Sequence, residues 1–110
     1  MATMNWKYEP ELAVDHHFYF SGQTLITHRI NDEINPLKIA ELVLLVRKVA
    51  LENNGIDYIQ KLTEITSGKV VWILDGISDE EKERLRLEKK LSEKEIEEYD
   101  MHTVLFPEEY

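Results

Sequence analysis

Asn35-Pro36 and Asn53-Asn54-Gly55 bracket the segment that most limits how this chain can fold. Between them, eleven of the fifteen residues 37–51 are apolar. Asparagine accepts a hydrogen bond from the first turn of a helix, and proline at the first helical position gives up an N–H that has no partner there. The Asn-Asn-Gly sequence supplies the left-handed residue that ends a helix. At about 100° per residue, Lys38, Glu41, Lys48 and Glu52 form one narrow polar stripe with Leu45 inside it. A helix this apolar must be wrapped on most sides. Each buried Leu, Ile or Val contributes about 1.5–3 kcal/mol before conformational entropy is subtracted. The helix is therefore the centre of the core, and 110 residues leave room for only one such core.

The neighbouring segments read as strands. Residues 15–20 and 24–30 are rich in β-branched and aromatic side chains and flank Ser21-Gly22, which predicts a hairpin. In that hairpin Phe20 pairs with Gln23 and Phe18 with Leu25. Val14 shares the core face, and Asp15, His17, Tyr19, Ile26, His28 and Ile30 lie on the other. Residues 57–65 and 69–74 form a second hairpin about Ser67-Gly68, and Val70-Val71-Trp72-Ile73-Leu74 is apolar enough for a central strand. Ser78 with Glu81, and Ser92 with Glu95, are capping-box pairs, so residues 79–99 read as one or two helices with a thin apolar stripe. A short strand over 101–106 ends at Pro107. The order ββαββαβ predicts a single α+β domain, an antiparallel sheet packed on one buried helix. Residues 1–77 form the core, 78–100 a charged helical arm, and 101–110 a closing strand and tail.

Charge is unevenly placed. The chain carries −9 overall, from 22 acids and 13 bases, and −6 of that falls after Ser78. An acidic balance argues against direct nucleic-acid binding, which requires cations along the phosphates. No apolar run reaches the roughly 18 residues of a membrane span, and no leader pattern opens the sequence. The absence of cysteine excludes disulfides and thiolate chemistry and fits a cytoplasmic location. There is no glycine-rich phosphate loop and no calcium-loop spacing, and each of the four serines is accounted for by a turn or a cap. No cofactor and no catalytic residue is expected.

Four short stretches occur in a recognisable order: Thr27-His28-Arg29-Ile30-Asn31-Asp32-Glu33-Ile34, Asp57-Tyr58-Ile59-Gln60, Ile73-Leu74-Asp75-Gly76, and Thr103-Val104-Leu105-Phe106-Pro107-Glu108-Glu109-Tyr110. Together they resemble domain of unknown function 960, a family of small proteins of Gram-positive bacteria and their mobile elements. The match touches roughly half the chain. It departs at the hydrophobic helix, which lacks an aromatic here, and at residues 78–100, which look like a charged insertion. The resemblance implies an intracellular α+β domain, phage- or plasmid-borne, and assigns no functional residue.

Three sets of side chains carry the functional expectations. Asp15, His17 and His28 share a face of the first hairpin, and two histidines with a carboxylate can hold a divalent metal, although they read more readily as ordinary surface residues of a sheet. Arg47, on the apolar side of the central helix, is a candidate contact for an anionic ligand or carboxylate, although it reads more readily as snorkelling near the helix C-terminus, where the macrodipole favours a cation. The run Glu93, Glu95, Glu97, Glu98, Tyr99 and Asp100 is the candidate partner-binding surface, because carboxylates ending in an aromatic suit a groove built for phosphate. Glu and Lys at helical spacing also make a merely soluble helix. Trp6, Tyr8, Leu45 and Tyr110 are expected at least partly exposed, as material for self-association.

The sequence thus predicts a non-catalytic protein-binding module docking on a partner with a basic surface through residues 78–110. Its sharper form is a phage or prophage inhibitor of a nucleic-acid-targeting defence enzyme, of anti-CRISPR or anti-restriction type. The alternatives are a metal- or small-ligand-binding protein or enzyme built on Asp15, His17 and His28, and a housekeeping homodimer.

Overall fold

The capped apolar segment forms helix α2 (Pro36–Glu52) in the computed structural model, which describes residues 3–13 and 15–110. The Asn35 side chain accepts from the Leu37 N–H at 2.8 Å. At the other end Asn54 and Gly55 take φ of 53° and 96°, and the Gly55 N–H donates to Ala50 O at 2.7 Å. Ile39, Leu42, Val43, Leu45, Val46, Val49 and Ala50 are buried.

The outward stripe differs from the expected one. Leu45 is buried, and Leu37, Ala40, Leu44, Lys48 and Leu51 face out instead. The polar residues explain the rotation. Lys38 Nζ pairs with Glu64 at 3.0 Å, its carbonyl accepts Trp6 Nε1 at 2.7 Å, and Glu41 accepts from Asn5. Two members of the polar stripe are thus turned toward the rest of the fold, which leaves leucines on the outside. Trp6 and Tyr8 are also buried, against expectation, and Tyr110 is exposed with its ring edge-on to Trp72.

Among the described residues, five strands form one sheet: β1 (Trp6–Tyr8), β2 (Gln23–Ile26), β3 (Ile59–Glu64), β4 (Val70–Asp75) and β5 (Met101–Leu105), in spatial order β1-β3-β4-β5-β2. Pairing is antiparallel except between β5 and β2, which run parallel. Alternation sends Trp6, Tyr8, Leu62, Val71, Ile73 and Val104 into one core with α2. The opposite face, with Trp72, Leu74 and Thr103, is only half-buried, and Lys61 lies 5.2 Å over the Trp72 ring. The class is α+β, as the element order predicts, and the sheet is mixed rather than wholly antiparallel.

The first predicted hairpin does not form. Residues 15–20 cross the domain irregularly, with one bridge between Phe18 and Ile56, and the expected Phe20–Gln23 and Phe18–Leu25 pairs are absent. Val14 lies outside the described residues. β2 stops at Ile26 because the Thr27 hydroxyl accepts the Ile30 N–H at 3.2 Å and opens helix α1 (His28–Glu33). A side-chain cap overrides the strand propensity of Thr27 and Ile30. Phe20, fully buried at φ 55°, donates its N–H to Asp75 Oδ2 at 2.9 Å and offers its carbonyl to Arg47 Nε at 2.6 Å. Side chains thus satisfy backbone groups that a strand ladder would have used.

Residues 79–99 form two helices, α3 (Asp79–Leu87) and α4 (Glu93–Tyr99), separated where Lys90 takes φ 54°. Ser78 caps the first, and Ser92 with Glu95 forms a reciprocal capping box on the second. A 3-10 turn over Pro107–Glu109 follows β5. Among the described residues, no helix is long and apolar enough to cross a membrane.

Gly22 is the most closely packed of the four glycines: a Cβ there would lie 2.0 Å from the backbone oxygen of Asp100. Gly68, with φ +75°, has open space around it. Gly22→Ala is expected to lower the unfolding free energy by more than about 2 kcal/mol. Gly68→Ala, which meets only backbone strain, costs about 1–2 kcal/mol. Denaturant titration of the two variants checks the order.

Candidate docking surface

The α3–α4 arm is fastened to the core by groups that its charged sequence conceals. Ile77 and Ile96 are buried. Lys82, also buried, turns inward and places Nζ 3.0 Å from Asp100 Oδ2 and 3.3 Å from Ser21 Oγ. The Asp79 N–H donates to His17 O at 3.0 Å, and the Asp100 carbonyl accepts the Gln23 N–H at 2.9 Å. On the outside, Arg84 pairs with Glu81 and Glu88, and Arg86 bridges Glu83 on its own helix to Glu93 on α4.

These contacts divide the acidic run. Glu93 is held by Arg86, Glu95 by the Ser92 cap, and Asp100 by Lys82. Glu97, Glu98 and Tyr99 remain exposed on the last turn of α4, and no hydrogen bond or ion pair engages their side chains among the described residues. Tyr99 also borders a cleft of about 470 Å³ with Ile77, Leu85 and Leu91, to which Glu81 and Lys89 add charge, whereas Glu97 lines a separate pocket with Gly22, Gln23 and Asp100.

Beneath the arm sits a buried ionic cluster. Asp75 and His102 face each other in the β4–β5 register. Among the described residues, Asp75 Oδ1, Asp100 Oδ1 and His102 Nδ1 have no hydrogen-bond partner. Burial pushes the Asp75 carboxyl up to about 6, with the Asp100 charge adding to the shift and the Phe20 N–H opposing it. Burial pushes His102 down to about 4, helped by the Arg47 charge. His102 Nε2 meets Thr24 Oγ1 at 2.5 Å. The cluster holds the 20–24 segment, β5 and α3 together.

Arg47 is part of this fastening. Its Nε and Nη2 donate to the carbonyls of Phe20 and Gly22 at 2.6 and 2.7 Å, so it closes a turn where a ligand contact was expected. Asp15, His17 and His28 are not brought together either. His28 opens α1, His17 Nδ1 lies 2.8 Å from Asn54 O, and Asp15 is exposed on the irregular segment. Their shared face depended on the hairpin that does not form. Among the described residues, no group of three His, Asp or Glu is placed to hold a metal. The outward leucine stripe of α2 and the exposed edge of β2 escaped the sequence reading. The seven-residue spacing of Leu37, Leu44 and Leu51 was the signal for the first.

The two buried titrations oppose each other. Between pH 4 and 6 folded Asp75 keeps a proton that the unfolded chain has lost, so its contribution to stability falls as pH rises. Folded His102 resists a proton that the unfolded chain accepts below 6.5, so stability falls as pH drops from 6.5 to about 4. Asp75→Asn should therefore steepen the acid loss of Tm between pH 6.5 and 4, and His102→Gln should flatten or reverse it. Thermal melts across that range check both signs. Comparison of the chain with family models, with curated proteins and with solved structures gives no match.

Proposed function

We propose that the chain is a non-catalytic protein-binding module that docks on a basic partner surface through the end of α4. The observation that carries this reading is the contrast within one acidic run. Glu93, Glu95 and Asp100 are used internally, whereas Glu97, Glu98 and Tyr99 are offered to solvent, with Tyr99 at the rim of a cleft that also holds Ile77, Leu85 and Leu91. Two carboxylates and an aromatic ring next to a recess suit a segment that carries both cations and an apolar side chain. One ion pair, Arg86–Glu93, ties α3 to α4, which lowers the entropy lost on docking. In its narrower form the proposal is an inhibitor whose carboxylates occupy the phosphate-binding groove of a nucleic-acid-targeting enzyme, supported by the net charge of −9.

A photo-crosslinking residue in place of Tyr99 is expected to trap one partner in the source cells. Adding Glu97→Lys and Glu98→Lys should abolish the adduct and leave Tm within about 1 °C, because neither side chain has an internal partner. An adduct that survives both charge reversals overturns the reading. Glu95 is unsuited to this test, since its reversal also removes the α4 cap.

A further inference from the structure

The α3–α4 arm leaves the sheet and returns to it at one place. Gly76 follows the last residue of β4, Met101 is the first of β5, and the Gly76 N–H donates to Met101 O at 3.0 Å. The excursion over residues 77–100 is therefore closed at its base by the β4–β5 ladder, and the rest of it can lift without unpairing those strands. Away from the base it is fastened by a short set of contacts. The Asp79 N–H donates to His17 O, Glu80 accepts the His17 N–H at 3.1 Å, and Lys82 Nζ reaches Ser21 Oγ. Ile77, Ser78 and Lys82 are buried where the arm meets the core, and Asp75 lies beneath them, only 5% exposed.

Charges in this cluster do not balance. Lys82 Nζ is 3.0 Å from Asp100 Oδ2, and its charge also acts on Asp75. Two carboxylates thus share one ammonium. Arg47, from α2, is engaged by the Phe20 and Gly22 carbonyls, and His102, opposite Asp75 on β5, stays neutral above about pH 4 because burial opposes its charge. Two carboxylates in one buried site do not both ionise without cost, and one of them takes up a proton. Asp75 is the one away from the lysine contact, and its Oδ1 has no hydrogen-bond partner among the described residues. We infer that residues 77–100 form a hinged flap and that a proton on Asp75 is its latch. With Asp75 neutral, Lys82 serves Asp100 alone and the flap lies closed. With Asp75 ionised, closure keeps an unmatched negative charge out of water, and lifting the flap hydrates it. Linkage fixes the direction. Burial raises Asp75 to about 6 under the closed flap, against an ordinary 3.8 when hydrated, so its contribution to closure is complete below 3.8 and is lost as the pH rises through about 6. His102 stays with the core, because Phe20 packs on its ring and Thr24 Oγ1 meets its Nε2. At the flap edge Glu80 lies within reach of the His16 and His17 charges, so its share must be separated from that of Asp75 by substitution. The inference concerns how the arm is held and does not depend on what the end of α4 binds.

Residue-resolved hydrogen exchange, corrected for the intrinsic rate at each pH, reads the opening directly. The Asp79 amide, which donates to His17 O across the flap edge, is the reporter. Its protection should fall by about tenfold between about pH 5 and pH 8, while amides of the β3–β4 ladder do not follow. Asp75→Asn keeps an acceptor for the Phe20 N–H but cannot ionise, so it should reduce the fall to about twofold, the remainder belonging to Glu80 and the histidines. In the unmodified protein, the midpoint of the fall should coincide with the titration of the Asp75 carboxyl carbon resonance, a comparison that needs no variant. The inference is overturned by protection that stays flat over this range, by a fall shared with the β3–β4 amides, or by a fall undiminished in Asp75→Asn. It is overturned equally by an Asp75 carboxyl whose midpoint lies away from that of the fall.

Discussion

The turn at residues 20–22 is the constraint on which the rest of the architecture depends. Its backbone runs between elements that offer it no strand ladder, and side chains from three directions hold it. Asp75 takes the Phe20 N–H from β4, Arg47 takes the Phe20 and Gly22 carbonyls from α2, and Lys82 reaches Ser21 from α3. Asp100 closes the ring through Lys82 and through the space that only a glycine at 22 leaves free. Placing β2 beside β5 follows from this turn. A buried ionic assembly of this kind adds little net stability over apolar packing, but leaving one member unpaired is costly. Its contribution is to fix one arrangement of the elements that meet there.

How much of this could be read from the residues depended on whether the determinants were local. The ends of α2, the Ser67-Gly68 turn, the two serine caps and strands β3, β4 and β5 are all set by neighbouring side chains, and all emerge close to the expected positions. The segment around 15–30 failed because its outcome is decided at a distance. Thr27 as a cap and Thr27 as a strand residue look alike until β5 is in place, and no pattern in the sequence pairs Phe20 with Asp75. The metal trio vanished with that hairpin. Arg47 was singled out correctly as an unusual position on an apolar face, and its use proved structural because two carbonyls lay within reach. The acidic run was legible as a charge excess, whereas its division into engaged and unengaged carboxylates required the partners on α3.

The two surfaces left over are chemically opposite and lie on different elements. At the end of α4 the chain offers negative charge and an exposed tyrosine, and along β2 and α2 it offers an uncharged strand and leucines. Long-range repulsion between acidic arms acts across the whole molecule but is screened within about 10 Å at 0.1 M salt. Short-range strand pairing is little affected by that screening.

The parallel contact between β2 and β5 also shapes how the chain reaches this state. Thr24 and His102 are 78 positions apart, and the segment between them includes α1, α2, β3, β4 and both helices of the arm. Closing so long a loop delays the reward for pairing, so β2 docks late while the α2–β3–β4 unit can assemble earlier. During synthesis β2 has both edges bare until β5 has left the ribosome. A strand left bare for that interval is open to pairing between chains, which crowded polysomes or rapid overexpression would favour over closure within one.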